Sequence, residues 1–134
     1  MSKLLTFKKR KDFLRVAAAD YVVTRSLVLQ AAHSLFDDDI IRVGYTATKK
    51  IGGAVVRNRS KRRLRAIARE LLPHYALAHI DYVFIARNST ATCDFSELKK
   101  DAIYALKKIN KNYQTEHNCD DKALNVGGVG DENI

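Results

Sequence analysis

The sequence of 134 residues contains no tryptophan, one proline, one methionine and only two cysteines. Cys93 and Cys119 lack the paired spacing of a metal site, so we interpret them as free thiols and not as a disulfide framework. No run approaches the roughly 18 apolar residues of a membrane-spanning helix, which excludes a transmembrane protein. The first residues also lack the apolar stretch of a secretory signal, so we expect a cytoplasmic protein.

Acidic residues are scarce in most of the chain. The net charge is +9, with a pI of about 9.7, but residues 115–134 alone carry −4, so residues 1–114 carry +13. The last twenty residues also hold three of the six glycines and show no hydrophobic periodicity. We therefore predict one small folded domain over residues 1–114 and a disordered acidic tail over residues 115–134. The positive charge favours a polyanionic partner, either nucleic acid or an anionic membrane surface.

The hydrophobic pattern predicts three helices and three or four strands in a single α+β domain, in the order α-β-β-β-α-β-α. The predicted helices are Lys8–Ala17 with Thr6 as N-cap, Asn58–Leu72 ended by Pro73, and a last helix that Asp94 and Glu97 open and that ends near Tyr113. The predicted strands lie within Tyr21–Ala32, Ile40–Thr48 and Ile80–Ala86.

Catalytic and metal-binding patterns are missing from the chain. None of the four histidines lies one helical turn from another, which argues against a zinc site, and there is no phosphate-binding glycine loop. Within residues 1–114, acidic residues cluster only at Asp37–Asp39, which we interpret as a solvated turn. A cysteine–histidine pair stays open, because such groups can meet in space. We predict no catalytic residue, no metal ligand and no small-molecule substrate for this chain.

The segment Lys49–Arg69 is the strongest functional signal. It has no acid and nine basic residues, which are Lys49, Lys50, Arg57, Arg59, Lys61, Arg62, Arg63, Arg65 and Arg69. Like charges one helical turn apart are destabilising, so this density indicates an anionic partner. Arginine grips phosphate through two hydrogen bonds, and Asn58 can donate to and accept from a base edge or a 2′-hydroxyl.

Two other interpretations of this segment stay open. A solvated basic face would leave the same pattern, and so would a helix lying on a membrane surface. The membrane interpretation is weaker because the domain needs the apolar stripe of this helix for its core, and no Trp or Phe anchors it. We therefore expect a nucleic-acid partner and no membrane. Gly52 and Gly53 precede the helix and allow a tight turn.

These residues resemble a known signature. The run from Arg42 through the loop to Arg62 resembles the signature of the bacterial ribonuclease P protein subunit. Residues 49–65 fit the family pattern K-K-x-G-x-A-V-x-R-N-R-x-K-R-x-x-R at every specified position. The resemblance extends over about residues 4–110. It implies the fold of the second domain of a small-subunit ribosomal protein, with a left-handed βαβ crossover.

The resemblance also implies a function. The family assists a catalytic RNA, which uses Mg²⁺, in removing the 5′ leader of precursor transfer RNA; the protein itself binds no cofactor. It implies that the RNA subunit is bound by Lys49, Lys50, Arg57, Asn58, Arg59, Lys61, Arg62 and Arg65. The single-stranded leader would lie in a cleft between a helix and the sheet, with Phe13 as a stacking residue, although a core role for Phe13 stays open.

The chain differs from the family at three positions and leaves two alternative functions open. Ala17 and Gln30 stand where aromatic residues are common, and Gly53 stands where asparagine is usual. One alternative is a non-catalytic RNA-binding protein, such as a ribosomal protein or an RNA chaperone. The other is a nuclease that needs no RNA subunit. This function is disfavoured because residues 1–114 lack paired carboxylates.

Overall fold

The structure, a computed structural model, describes residues 4–7, 9–36, 38 and 40–117, with side chains as far as Tyr113. The strands are β1 (Leu4–Thr6), β2 (Asp20–Val23), β3 (Leu27–His33), β4 (Ile41–Thr46) and β5 (Ile80–Ala86). The helices are α1 (Arg10–Ala17), α2 (Ala54–Tyr75) and α3 (Phe95–His117), with a short 3-10 turn at Lys49–Ile51. This is the predicted α+β domain with one further strand, β1, at its start.

The five strands form one mixed sheet in the order β1-β4-β5-β3-β2. β1, β4 and β5 are parallel to one another, whereas β3 runs antiparallel to both β5 and β2. β4, α2 and β5 therefore form a βαβ unit with adjacent parallel strands. Its left-handed crossover stays a prediction.

Helices cover both faces of the sheet. On one face, α2 and α3 bury the apolar stripes that the periodicity predicts, with Leu64 and Ile67 on α2 and Leu98 and Leu106 on α3 fully buried. On the other face, α1 packs with Phe7, Val16 and Val83 in a smaller cluster. β5 lies in the middle and is buried on both faces except at Ile85, as its nearly continuous apolar sequence predicts.

Two polar anchors fix the helices on the sheet. Tyr82 of β5 donates to Asn110 of α3 (2.7 Å), and Asn110 donates to the carbonyl of Tyr75 at the end of α2 (2.6 Å). On the opposite face, Arg15 of α1 forms an ion pair with the buried Asp81. Both contacts span separate elements, so they set the positions of the helices that carry the candidate site.

The start of the chain differs from the prediction. Thr6 is the last residue of β1 and not the N-cap of α1; Lys9 holds the N-cap position and makes no side-chain capping hydrogen bond. Pairing with β4 keeps this segment extended, and the bond from Phe7 N–H to the carbonyl of Val43 continues it (3.0 Å). Strand pairing across the fold outweighed the local capping signal.

Helix α2 is longer at both ends than the predicted Asn58–Leu72. It begins at Ala54, because Gly53 is the N-cap and its carbonyl accepts the Arg57 N–H (3.0 Å). Pro73 lies inside the last turn and does not end the helix. A proline there removes its own hydrogen bond and crowds the carbonyl of Arg69, yet the helix continues, and the bond from Ala76 N–H to the carbonyl of Leu72 is kept (2.9 Å).

The end of the fold extends slightly beyond the predicted boundary. α3 continues to His117, so the first three residues of the predicted tail belong to this helix. The rest of the tail, 118–134, lies outside the described residues. No described helix is long and apolar enough to cross a membrane.

Candidate nucleic-acid interface

The loop before α2 depends on one glycine. Gly52 has φ +145° and ψ −171°, a conformation that is essentially restricted to glycine, and it closes the 3-10 turn that carries Lys49 and Lys50. A Cβ on Gly52 would lie 2.9 Å from Cβ of Val56, whereas one on Gly53 would meet nothing within 4 Å. The glycine pair of the sequence is therefore one obligatory glycine followed by an ordinary N-cap.

All eight predicted RNA-subunit residues lie on this turn and the first three turns of α2. Lys49, Lys50, Asn58, Arg59, Arg62 and Arg65 are exposed, whereas Arg57 and Lys61 are half-buried. We call these eight residues the α2 surface. Their nearest acid along the helix is Glu70, which pairs with Lys99 of α3. Within the described chain, the positive charge of this surface is thus not offset along α2 by an acid before residue 70.

Part of the basic segment serves the fold, which the sequence did not reveal. Arg63 donates to the carbonyls of Thr90 and Cys93 (2.6 Å each), and Arg59 Nε donates to the carbonyl of Ala91 (2.7 Å). These charged donors hold the loop between β5 and α3 against α2. Arg63 is therefore structural. Arg59 is fixed through Nε, which leaves its Nη groups available to a phosphate.

Phe13 lies on the sheet face opposite to α2 and α3. Its ring packs edge-on against Phe7 (5.0 Å between centroids), over Gly44 of β4. Phe13 is half-buried: it packs against Phe7 and still leaves part of its side chain exposed. Its role as a stacking residue for the leader stays a prediction.

A groove joins Phe13 to the α2 surface. This open groove of about 530 Å³ runs past the end of β1, over the edge of β4 at Tyr45–Ala47. Arg10 and Phe13 line it on the α1 side, and Lys61 and Arg65 line it on the α2 side. Thus Lys61 and Arg65 belong both to the α2 surface and to the groove, whereas Lys49 and Lys50 lie outside the groove.

Tyr45 forms part of the floor of this groove. Burial raises the pKa of its phenol to about 12, against a smaller lowering by the nearby charges of Arg65 and Arg69. The Arg65 guanidinium lies 5.7 Å from the ring centroid. The phenol therefore stays neutral near pH 7, and the charge lining the groove is positive.

One aromatic residue on the Phe13 face was not identified from the sequence. Tyr21 of β2 is 64% exposed and is paired directly with Gln30, the position where the family commonly carries an aromatic residue. Paired residues share a face, and Gln30 in turn pairs with Val83 of the cluster under α1. Tyr21, Val22 and Val23 are all apolar, so the sequence carries no signal for which of them is exposed.

The described residues contain no group of three or more His, Cys, Asp or Glu side chains that could hold a metal ion.

Asp38 of the predicted solvated turn forms a bidentate pair with Arg42 (3.0 and 3.1 Å), which lowers the pKa of the Asp38 carboxyl. Cys93 is half-buried, and Cys119 lies beyond the described part of the chain.

Comparisons with known proteins agree on one family. The family model described as Ribonuclease P matches residues 1–110. The ribonuclease P protein component of Caulobacter vibrioides is 48% identical over 104 residues, which are 78% of this chain and 70% of that protein. The component of Paramagnetospirillum magneticum is 43% identical over 112 residues, covering 81% and 84%.

Solved structures agree with this. The Staphylococcus aureus RNase P protein superposes with a TM-score of 0.66 at 28% identity, covering 78% of this chain and 94% of that one. A second structure of that protein, at 27% identity, a TM-score of 0.67 and coverage of 78% and 87%, is described as a mutant with defective mRNA degradation activity. The chain belongs to the ribonuclease P protein component family.

Proposed function

We propose that this subunit of ribonuclease P binds the RNA subunit of the enzyme through the α2 surface. The observation that carries the proposal is the concentration of Arg, Lys and Asn58, mostly exposed, on the 3-10 turn and the N-terminal part of α2, at a density that like-charge repulsion opposes. Arg59 and Arg63, which bond to loop carbonyls, account for only a part of that charge. Lys49, Lys50, Arg62 and Arg65 are exposed and therefore accessible to phosphates.

The groove supports a second part of the proposal, that the 5′ leader of precursor transfer RNA passes between α1 and α2. A single-stranded RNA needs a positive track for its backbone and an aromatic face for its bases. Lys61 and Arg65 supply the first, and Phe13 supplies the second. Tyr21 offers a further exposed ring on the Phe13 face. Stacking on Phe13 would contribute about 1–3 kcal/mol with little sequence preference.

Catalysis belongs, in this proposal, to the RNA subunit and to the Mg²⁺ it holds, in the cytoplasm. The protein contributes positive charge and holds the precursor in place beside the RNA subunit. With +13 over residues 1–114, it lowers the repulsion between two polyanions, the RNA subunit and the precursor. This effect is largest where Mg²⁺ is scarce.

Binding of the RNA subunit at several salt concentrations tests the first part. Arg62→Gln with Arg65→Gln removes two exposed cations without touching the buried stripe of α2. We expect the log–log salt slope to become shallower by about 0.7–0.9 for each phosphate that the variant no longer neutralises. A slope and affinity equal to those of the unsubstituted protein would contradict the proposal.

Two controls separate the alternative functions. Ribosomal RNA in place of the RNA subunit tests a ribosomal or chaperone role, and comparable affinity for both would favour it. The purified protein alone, freed of RNA, tests for a nuclease that needs no RNA subunit. Because one S. aureus RNase P protein is described as a mutant with defective mRNA degradation activity, that control should include an mRNA as well as the precursor.

A further inference from the structure

Helix α3 carries a second basic surface on its solvent side. Lys100, Lys107 and Lys111 are exposed and recur at helical spacing on one stripe, with Tyr104 between them and Lys108 at its border. We call these five residues the Tyr104 surface. It shares no residue with the α2 surface or with the groove.

Tyr104 is unusual in its setting. The ring is 54% exposed although it lies in the middle of a long helix, and Lys108 Nζ lies 5.6 Å from the ring centroid and 3.3 Å from the phenol oxygen. An exposed aromatic ring beside lysines combines a stacking face with phosphate-binding charges. The Tyr104–Lys108 contact itself stabilises the helix only weakly at an exposed site, and it leaves Lys100, Lys107 and Lys111 unaccounted for.

The acids near the stripe offset only its N-terminal end. Asp101 lies at the border, and its Oδ2 accepts both the hydroxyl (2.6 Å) and the N–H (3.2 Å) of Ser26. Glu97 lies one turn before Lys100, and Glu70 of α2 pairs with Lys99 instead. From Tyr104 to Tyr113 the helix has three lysines and no acid. The like charges of Lys107 and Lys111, one turn apart, are therefore destabilising to the isolated helix.

The position of α3 indicates which polyanion would bind. α2 and α3 lie side by side on the same face of the sheet, joined by Glu70–Lys99 and by the Asn110 bond to Tyr75. Packed helices are about 8–10 Å apart, so a large RNA on the α2 surface reaches α3 readily. Phe13, in contrast, lies on the opposite face. The exposed stripe also lacks the large aliphatic residues that a membrane surface would require.

We propose that the Tyr104 surface is a second contact for the RNA subunit, with lysines on its sugar–phosphate backbone and Tyr104 stacked on an unpaired base. The proposal rests on the proposed function of the α2 surface, because the same RNA must bind both. Two separated contacts on adjacent helices would constrain the orientation of the RNA more than the α2 surface alone.

Binding of the RNA subunit by the full chain tests this proposal. Lys107→Gln with Lys111→Gln removes two exposed lysines of the Tyr104 surface, and Lys9→Gln with Lys11→Gln removes two exposed lysines at the start of α1 as a matched control. We expect the α3 variant to bind about tenfold more weakly, with a salt slope shallower by about one to two units, and the control to change less than about twofold. Equal changes in the two variants would overturn the proposal.

Tyr104 supplies a test that does not depend on charge. Tyr104→Phe keeps the stacking face and should bind like the unsubstituted chain, whereas Tyr104→Ala should bind at least about fivefold more weakly. Equal affinities for Phe and Ala would overturn the stacking role. Thermal unfolding of each variant separates a weakened interface from a destabilised fold.

The α2 variant Arg62→Gln with Arg65→Gln separates failure of the Tyr104 surface from failure of the α2 surface as an RNA-binding site. If it weakens binding and the α3 variant does not, only the Tyr104 surface is rejected. If neither weakens binding, both proposals fail. The acidic tail is the alternative occupant of these lysines: α3 substitutions that leave RNA affinity and its salt dependence unchanged in the full chain would fit that occupant and overturn the RNA proposal.

Discussion

Phe13 lies directly against Gly44, so closely that a Cβ atom on residue 44 would be 2.6 Å from Cε1 of Phe13. The same atom would be 2.7 Å from Cε2 of Phe7. Glycine is unfavourable inside a strand unless another group approaches closely, and here two aromatic rings do so. The glycine of β4 thus sets the depth of Phe13 beside the groove.

Replacing Gly44 with alanine should therefore displace Phe13. We expect the free energy of unfolding to fall by about 1–3 kcal/mol, because both rings must move out of a packed position. Affinity for a precursor with a leader should fall more than affinity for mature transfer RNA. Urea unfolding and fluorescence anisotropy measure the two effects, and an unchanged free energy of unfolding would show that the rings move without cost.

Asparagine at Gly52 and at Gly53 should have opposite effects. At Gly52 the backbone conformation is nearly restricted to glycine, so we expect Gly52→Asn to lower the free energy of unfolding by about 1–3 kcal/mol. At Gly53, the N-cap of α2, Gly53→Asn should raise it by a few tenths of a kcal/mol, because its side chain can accept a helix N–H. The midpoints of urea unfolding compare the two, and equal decreases would contradict this account of the loop.

Arg62 and Arg63 are neighbours with different roles. Arg63→Ala should destabilise the fold by about 1.5–3 kcal/mol, because it removes charged hydrogen bonds to the carbonyls of Thr90 and Cys93. Arg62→Ala should change stability by less than about 0.5 kcal/mol and weaken RNA binding. Unfolding and binding are measured on the same two proteins. Similar stability of both would show that Arg63 holds no loop.

The folded state should lose stability in alkali through Tyr45. Burial raises the pKa of its phenol from the ordinary value of 10.0 to about 12. Below pH 10 both states are protonated, and between pH 10 and pH 12 only the unfolded chain ionises, so stability falls as the pH rises through this window. Tyr45→Phe should make the fall shallower, whereas Tyr104→Phe, at an exposed position, serves as its control. Urea unfolding from about pH 8 to about pH 11.5 without RNA measures it, and identical slopes would contradict the prediction.

Much of the fold followed from hydrophobic periodicity. The buried stripe Leu64–Leu71, the apolar strand Ile80–Ala86 and the α3 face from Leu98 to Tyr113 are confirmed, because each pattern reports burial directly. The ends of elements were less predictable. β1 is paired with β4 alone, which no local pattern indicates, and α2 continues past Pro73 for two residues and keeps the hydrogen bond that follows it.

The part of the candidate site that consists of clustered basic residues could be predicted from the sequence. The basic residues of α2 are visible in the sequence, but the roles of Arg59 and Arg63 depend on a loop 32 and 27 residues further along the chain. Tyr21 was missed because only the β2–β3 register shows that it lies beside Gln30. The binding roles assigned to the α2 surface and to Phe13 stay predictions.

Cleavage of a 5′-labelled precursor transfer RNA across a Mg²⁺ series tests the central claim most directly. We predict no cleavage by the protein freed of RNA, cleavage by the protein with the RNA subunit at low Mg²⁺, and partial replacement of the protein by high Mg²⁺, because both screen phosphate repulsion. Specific release of the leader by the protein alone would contradict the account.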